Sequence, residues 1–252
     1  STDTQVKSVA DTFRKFTKYH QGKLTYEKKG VVCGHFSPPP DPWGIQGAID
    51  RMASACEQIF GDENVTKKEL SSSEVKTYLE QGSAFFGVAG HGSPQIVETS
   101  SSGDYLESGD LTLLSKAPML LEIFGCWTSG WEIQNMNDPW NAFRGTLSEA
   151  GIFENLFNIA TISGNPGPES TSDYSFSSHV LSQIPSHPED TIGELMIGKQ
   201  RRSTDWTLFG DPTVRLDIAG GAYVNERPIA YIDSISPNPA EEGTDVHFKG
   251  HA

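Results

Sequence analysis

Basic charge is scarce in this chain. Its 19 Lys and Arg stand against 33 Asp and Glu, a formal net charge of -14 over 252 residues. Adjacent basic residues occur only as isolated pairs, such as Lys28-Lys29, Lys67-Lys68 and Arg201-Arg202. Nucleic acid is held by clustered Lys and Arg that neutralise phosphates, so no nucleic-acid partner is expected. Long apolar runs are missing as well. No segment reaches the roughly 18 uninterrupted apolar residues that would span a bilayer, and no secretory leader pattern is present. The first residue is Ser, so the chain is read as a mature or excised piece, and its acidic, solvated composition suits a secreted or cell-surface protein or a cationic substrate. Cysteine is sparse too. Cys33, Cys56 and Cys126 cannot all pair with one another, and their spacings fit no zinc motif.

What is present is a core and two chemically pointed runs. A hydrophobic content of 36% in 252 residues is enough for one substantial core and a small appendage. The first run is Phe85-Phe86-Gly87-Val88-Ala89-Gly90-His91-Gly92, and the second is Leu120-Leu121-Glu122-Ile123-Phe124-Gly125-Cys126-Trp127-Thr128-Ser129-Gly130. Each reads as a buried strand ending in a reactive side chain, because a short apolar run bounded by glycine is the pattern of a central strand covered on both faces. Parallel strands release their ends at one edge of a sheet, where open α/β sheets bind ligands. A thiol and an imidazole brought together there are equipped for covalent acyl transfer.

Between and around these runs, helix and strand signals alternate. Val6, Val9, Phe13 and Phe16 fall at helical spacing in the segment 6–19. A strand is predicted over 31–36, ended by Pro38, Pro39, Pro40 and Pro42, none of which can donate to a ladder. Ile45, Ile49, Met52, Cys56 and Ile59 mark an amphipathic helix over 44–60, which gives Cys56 a packing role. Ser71 and Glu74 form a capping box before a helix reaching about Glu80. A polar Ser- and Gly-rich loop follows over 93–108. Helices are predicted at 111–116, 141–152, 176–184 and 192–201, and strands at 158–163 and 213–216. This alternation implies right-handed crossovers and a mainly parallel sheet, hence an α/β fold, a three-layer α/β/α sandwich. Beyond about residue 220 the pattern turns to short strands on either side of Pro237 and Pro239, as in the start of an immunoglobulin-like β segment.

At His91-Gly92, at Cys126-Trp127-Thr128-Ser129-Gly130 and at Phe209-Gly210-Asp211-Pro212-Thr213-Val214-Arg215-Leu216, the sequence resembles the gingipain family of cysteine peptidases, within the caspase-like clan. The resemblance covers roughly residues 30–217 and implies a caspase-like sheet. It divides the chain into a helical extension (1–30), a catalytic domain (31–220), and a linker with a truncated β domain (221–252). It also implies that Cys126 is the nucleophile and His91 the general acid/base, with the backbone N–H groups of Gly92 and Cys126 forming an oxyanion hole. By the same resemblance Ala89, Phe124, Ser163, Gly164 and Asn165 would line the pocket for the residue before the scissile bond (P1), with Arg or Lys favoured there. In that family an acid orients the histidine; here Asp41, Asp50 and Glu57 are the candidates, with Asp41 preferred.

Read from residues alone, alternatives stay open. Cys126 could be a buried structural thiol and His91 a turn histidine. Cys33 and His35 share a strand face, which reads best as a core thiol with a site-lining imidazole. His20, His179, His187, His247 and His251 lie in polar surroundings and read as surface residues. Asp104, Glu107 and Asp110 could offer carboxylates to calcium, although without an EF-hand pattern a solvated loop is the favoured reading, and the chemistry requires no cofactor. The expected function is a cysteine endopeptidase acting on protein or peptide substrates. The rivals are a non-catalytic adhesion module on a peptidase fold and a peptide ligase, since an amine can intercept an acyl-enzyme as water does.

Overall fold

The structure, a computed structural model, describes residues 2–36, 44–93, 95–112, 114–126, 128, 146–154, 158–164, 176–197, 206–216, 231–236 and 247–251. Its centre is a six-stranded sheet in the order β2 (Val65–Lys67), β1 (Glu27–Gly34), β3 (Ser83–Ala89), β7 (Leu120–Phe124), β8 (Ala160–Gly164) and β9 (Trp206–Gly210). All neighbours run parallel except β8 and β9. β3 is buried at every position, and this is why its sequence shows an unbroken apolar run instead of alternation.

Alternate residues of these strands feed two cores. Phe85, Ala89, Leu120, Ala160 and Ile162 pack with α2 (Ile45–Phe60), α6 (Phe176–Gln183) and α7 (Ile192–Ile197) on one face. Phe86, Val88, Leu121 and Ile123 pack on the other with α3 (Ser72–Leu79), α4 (Ser108–Thr112) and α5 (Leu147–Glu149). The expected three-layer sandwich with a mainly parallel sheet is therefore the observed architecture. The capping box at Ser71 and Glu74 is present and starts α3, satisfying N–H groups that the first turn leaves unpaired. Cys33 and Cys56 are both fully buried in these cores, and all three thiols are free.

Three expectations are corrected. The loop over 93–108 contains a small antiparallel sheet, β4 (Gly92–Ser93), β5 (Ile96–Glu98) and β6 (Tyr105–Glu107). The last strand of the main sheet is β9, not 213–216. Asp211 ends the ladder, because its Oδ1 accepts from the Thr213 N–H at 2.9 Å and from Thr213 Oγ1 at 2.6 Å, turning the chain. Residues 213–216 then run alongside α7, whose first N–H groups, on Ile192 and Gly193, donate to the carbonyls of Val214 and Pro212.

The third correction concerns α1 (Thr2–His20). Phe13, expected in its packing face, is 66% exposed, whereas Thr12, Lys15 and Tyr19 are buried. Polar partners choose the face. Lys15 Nζ donates to the Ile152 carbonyl at 2.6 Å, and burial lowers its pKa to about 7. His20, expected on the surface, is partly buried, with Nε2 2.6 Å from Asp211 Oδ2. Desolvation raises Asp211, but the hydrogen bonds from His20 and Thr213 outweigh it and hold the carboxyl below its usual range.

Further along the chain, β10 (Tyr231–Ser236) and β11 (His247–His251) form an antiparallel pair around the proline segment. No described helix is long and apolar enough to cross a membrane.

Candidate active site

β3 and β7 are adjacent and in register up to their last pair, Ala89 with Phe124. One further bond, from the Gly90 N–H to the Phe124 carbonyl at 3.0 Å, carries the pairing past the strand ends. His91 and Cys126 each stand two residues beyond that pair, so the ladder delivers both to the same edge of the sheet. His91 is exposed and Cys126 is half-buried, leaving the pair open to a substrate. Burial raises the Cys126 thiol above its ordinary value, a bond to its own backbone opposing the effect.

Gly92 shows how closely the two strand ends approach. A β-carbon there would lie 3.1 Å from both the N and the O of Cys126 and 3.0 Å from Thr128 Cγ2. Such contacts are tighter than side chains tolerate without displacement, so glycine keeps the space between the backbones of the two ends clear.

The turn bearing the thiol is braced from behind. Thr128 is fully buried, and its Oγ1 donates to the Gly125 carbonyl at 3.1 Å. Its own carbonyl accepts from Ser148 Oγ at 3.0 Å. Ser148 Oγ also bonds Ser163 Oγ.

That brace locates Ser163. Ser163 pairs with Ile123 in the sheet, and Ile123 faces the α5 side, so Ser163 shares that face. Ala89 and Phe124 instead belong with the opposite core. The structure therefore places the Ser163 side chain on the opposite face from Ala89 and Phe124, against Ser148, which also bonds the Thr128 carbonyl. Ala89 itself is fully buried. The neighbour of Phe124 is Trp206 of β9, their ring centroids 6.0 Å apart, a contact the sequence reading missed because nothing local ties residue 206 to residue 124. Gly164 ends β8. Asn165 and Asp41 lie outside the described residues, as do Trp127, Trp131 and Trp140.

Of the other proposed acids, Asp50 and Glu57 are exposed on α2, and Asp50 Oδ1 meets Lys67 Nζ at 2.7 Å. Two of the three carboxylates offered to calcium have local tasks. Asp104 Oδ1 accepts the Ser72 N–H at the start of α3, and Asp110 Oδ2 accepts the Glu107 N–H. Among the described residues no three His, Cys, Asp or Glu side chains gather as a metal site would require. Beside His91 lies a residue expected to line the site: the His35 ring stands edge to face against it, centroids 5.7 Å apart.

No protein-family model and no curated protein sequence matches this chain. Solved structures do match. The Arg-specific cysteine proteinase gingipain R (RgpB) superposes with a TM-score of 0.58 at 14% identity, covering 82% of this chain and 52% of that one. The complex of Porphyromonas gingivalis RgpB pro- and mature domains gives 0.58 at 15% identity, covering 81% and 54%. A further protease structure gives 0.58 at 12%, covering 82% and 53%. The chain thus spans about half the length of these solved chains, and what it shares with them is the fold: a mainly parallel, gingipain-like α/β sheet.

Proposed function

We propose that this chain is a cysteine endopeptidase of the gingipain type. The observation that carries the reading is the equal offset of Cys126 and His91 beyond the in-register ends of neighbouring parallel strands, with Gly92 closing on the backbone of the nucleophile. In the reaction Cys126 Sγ attacks the scissile carbonyl carbon as its proton passes to His91. The carbonyl oxygen becomes an oxyanion that accepts hydrogen bonds from the N–H groups of Gly92 and Cys126, each worth roughly 2.7 to 4 kcal/mol in comparable acyl-transfer sites. The intermediate collapses, the C–N bond breaks, and His91 gives its proton to the departing amine. A thioester remains. Water then attacks it with His91 as base, releasing the carboxylic acid and the thiol.

Arg or Lys at P1 follows from the gingipain likeness and from an acidic chain of net charge -14, which would attract basic peptides. The same likeness, together with an acidic composition, favours action at a cell surface or after secretion on protein or peptide substrates. No cofactor is needed for the steps above, and calcium, if bound, would act on loop stability.

A panel of fluorogenic peptides varied at P1, with and without calcium, tests the reading. Turnover should be abolished by alkylation and by Cys126→Ala, with the circular dichroism of the folded chain unchanged. Hydrolysis retained by Cys126→Ala would remove the nucleophile. Silence across the panel would favour a non-catalytic adhesion module, and a product mass increased by an added amine would reveal a ligase.

A further inference from the structure

His91 has a second imidazole beside it, and that imidazole is itself anchored. Past the end of β1 the His35 N–H donates to the Ala89 carbonyl at 3.0 Å, so His35 leaves the sheet next to the bend that carries His91. The two rings meet with their planes at 89°. On its other side His35 Nδ1 stands 2.9 Å from Glu98 Oε2. Glu98 lies on β5, and its backbone N–H donates to the His91 carbonyl at 2.9 Å. One residue therefore holds the main chain of one histidine and the side chain of the other. Glu69 closes the same corner, its Oε1 accepting from the N–H of Phe36 at 3.0 Å and of Ser101 at 2.9 Å.

We propose that His35, anchored by Glu98, is the positioning residue for His91, holding that imidazole in the orientation from which it exchanges a proton with Cys126. The inference rests on the reading of Cys126 and His91 as nucleophile and acid/base. An edge-to-face ring pair is a directional contact, and a hydrogen bond at one ring nitrogen fixes the tautomer and orientation of an imidazole. The support is also rigid. Val97 and Leu106 anchor β5 and β6 in the core, and Gly90 lets β5 approach so closely that a β-carbon there would lie 2.3 Å from the Glu98 carbonyl oxygen.

The experiment compares His35→Ala, Glu98→Ala and Glu98→Gln with the parent chain in steady-state peptide hydrolysis, thermal unfolding, and the ring resonances of His91 by 15N-labelled NMR. His35→Ala and Glu98→Ala should lower kcat by roughly 10- to 100-fold with KM moved by about twofold at most, the signature of a misaligned reacting group. Glu98→Gln, which keeps an acceptor for His35, should recover most of that loss. The His91 resonances should shift in both alanine variants while the unfolding midpoint stays close to that of the parent. Unchanged kcat in the two alanine variants, or losses that merely follow a fallen midpoint, would overturn the proposal. If the parent chain shows no turnover, the dyad reading fails separately. The His91 resonances then decide alone: movement in His35→Ala sustains the positioning contact, and unmoved signals refute it.

Discussion

The thiol of Cys126 keeps its proton more firmly than a thiol in water, because burial disfavours the thiolate. The thiolate is the reactive form of a cysteine, so in the proposed reaction attack would depend on His91 taking the proton as the bond forms. Raising the folded-state value above the ordinary one shrinks the thiolate fraction at neutral pH. Alkylation of Cys126 by iodoacetamide should therefore be slow at neutral pH and climb through and beyond the ordinary thiol value of about 8.5. A rate already level on the acid side would mean a preformed ion pair and contradict this account. Cys33 and Cys56, both fully buried, should stay unlabelled while the chain is folded. Gly92 offers a second test at this scale. Gly92→Ala should lower kcat by about 10- to 100-fold, because its methyl would crowd the Cys126 amide, where the proposed oxyanion would settle. The unfolding midpoint should fall by less than the activity does, and full activity in this variant would place the substrate oxygen elsewhere.

Among the elements, the backbone at Thr128, which follows the thiol, depends on α5. Ser148→Ala would take away the hydroxyl that joins the Thr128 carbonyl to Ser163, leaving that carbonyl the Ser148 N–H at 3.4 Å, at a cost of about 1 kcal/mol for each hydrogen bond lost. Urea unfolding should show the loss, and kcat should fall with it as the thiol's turn loosens; an unchanged midpoint would show that the brace is idle. The strands bearing His91 and Cys126 were legible in the sequence because full burial writes an apolar run, and α3 because Ser71 and Glu74 spell its cap. The pairing of His35 with Glu98 was not. Strands of two or three residues such as β4 and β5 carry no period, and of β5 and β6 only Val97 and Leu106 are buried, so the segment reads as a polar loop. The face that Ser163 takes was not legible either, for a different reason: it depends on pairing parity, and the pairing of Ser163 with Ile123 is set between strands, outside any local pattern.

For the whole molecule, the N-terminal helix is tied to the sandwich by polar contacts at Lys15, Tyr19 and His20, a connection that apolar spacing could not foretell. Lys15 makes that tie sensitive to pH. Its folded-state value is about 7 against 10.5 for the free side chain, so between these limits the unfolded chain binds more protons and stability rises with pH. From pH 7 to about 8.5, a span over which the unfolded thiols titrate alike in both proteins, the unfolding midpoint should rise more steeply in the parent than in Lys15→Met. Equal slopes would show that the amine is solvated. The paired ends of β3 and β7 have a consequence for how such a chain can vary in length. Since His91 and Cys126 are equally far from the last pair of one ladder, the spacing of adjacent strands, about 4.8 Å, sets their starting separation, and within the connection it is β5, through Glu98, that holds His91. Changes in length outside β4, β5, β6 and β7 can be absorbed, whereas a single residue gained or lost inside β3 or β7 would throw one group ~3.3 Å out of step and turn its neighbours inside out.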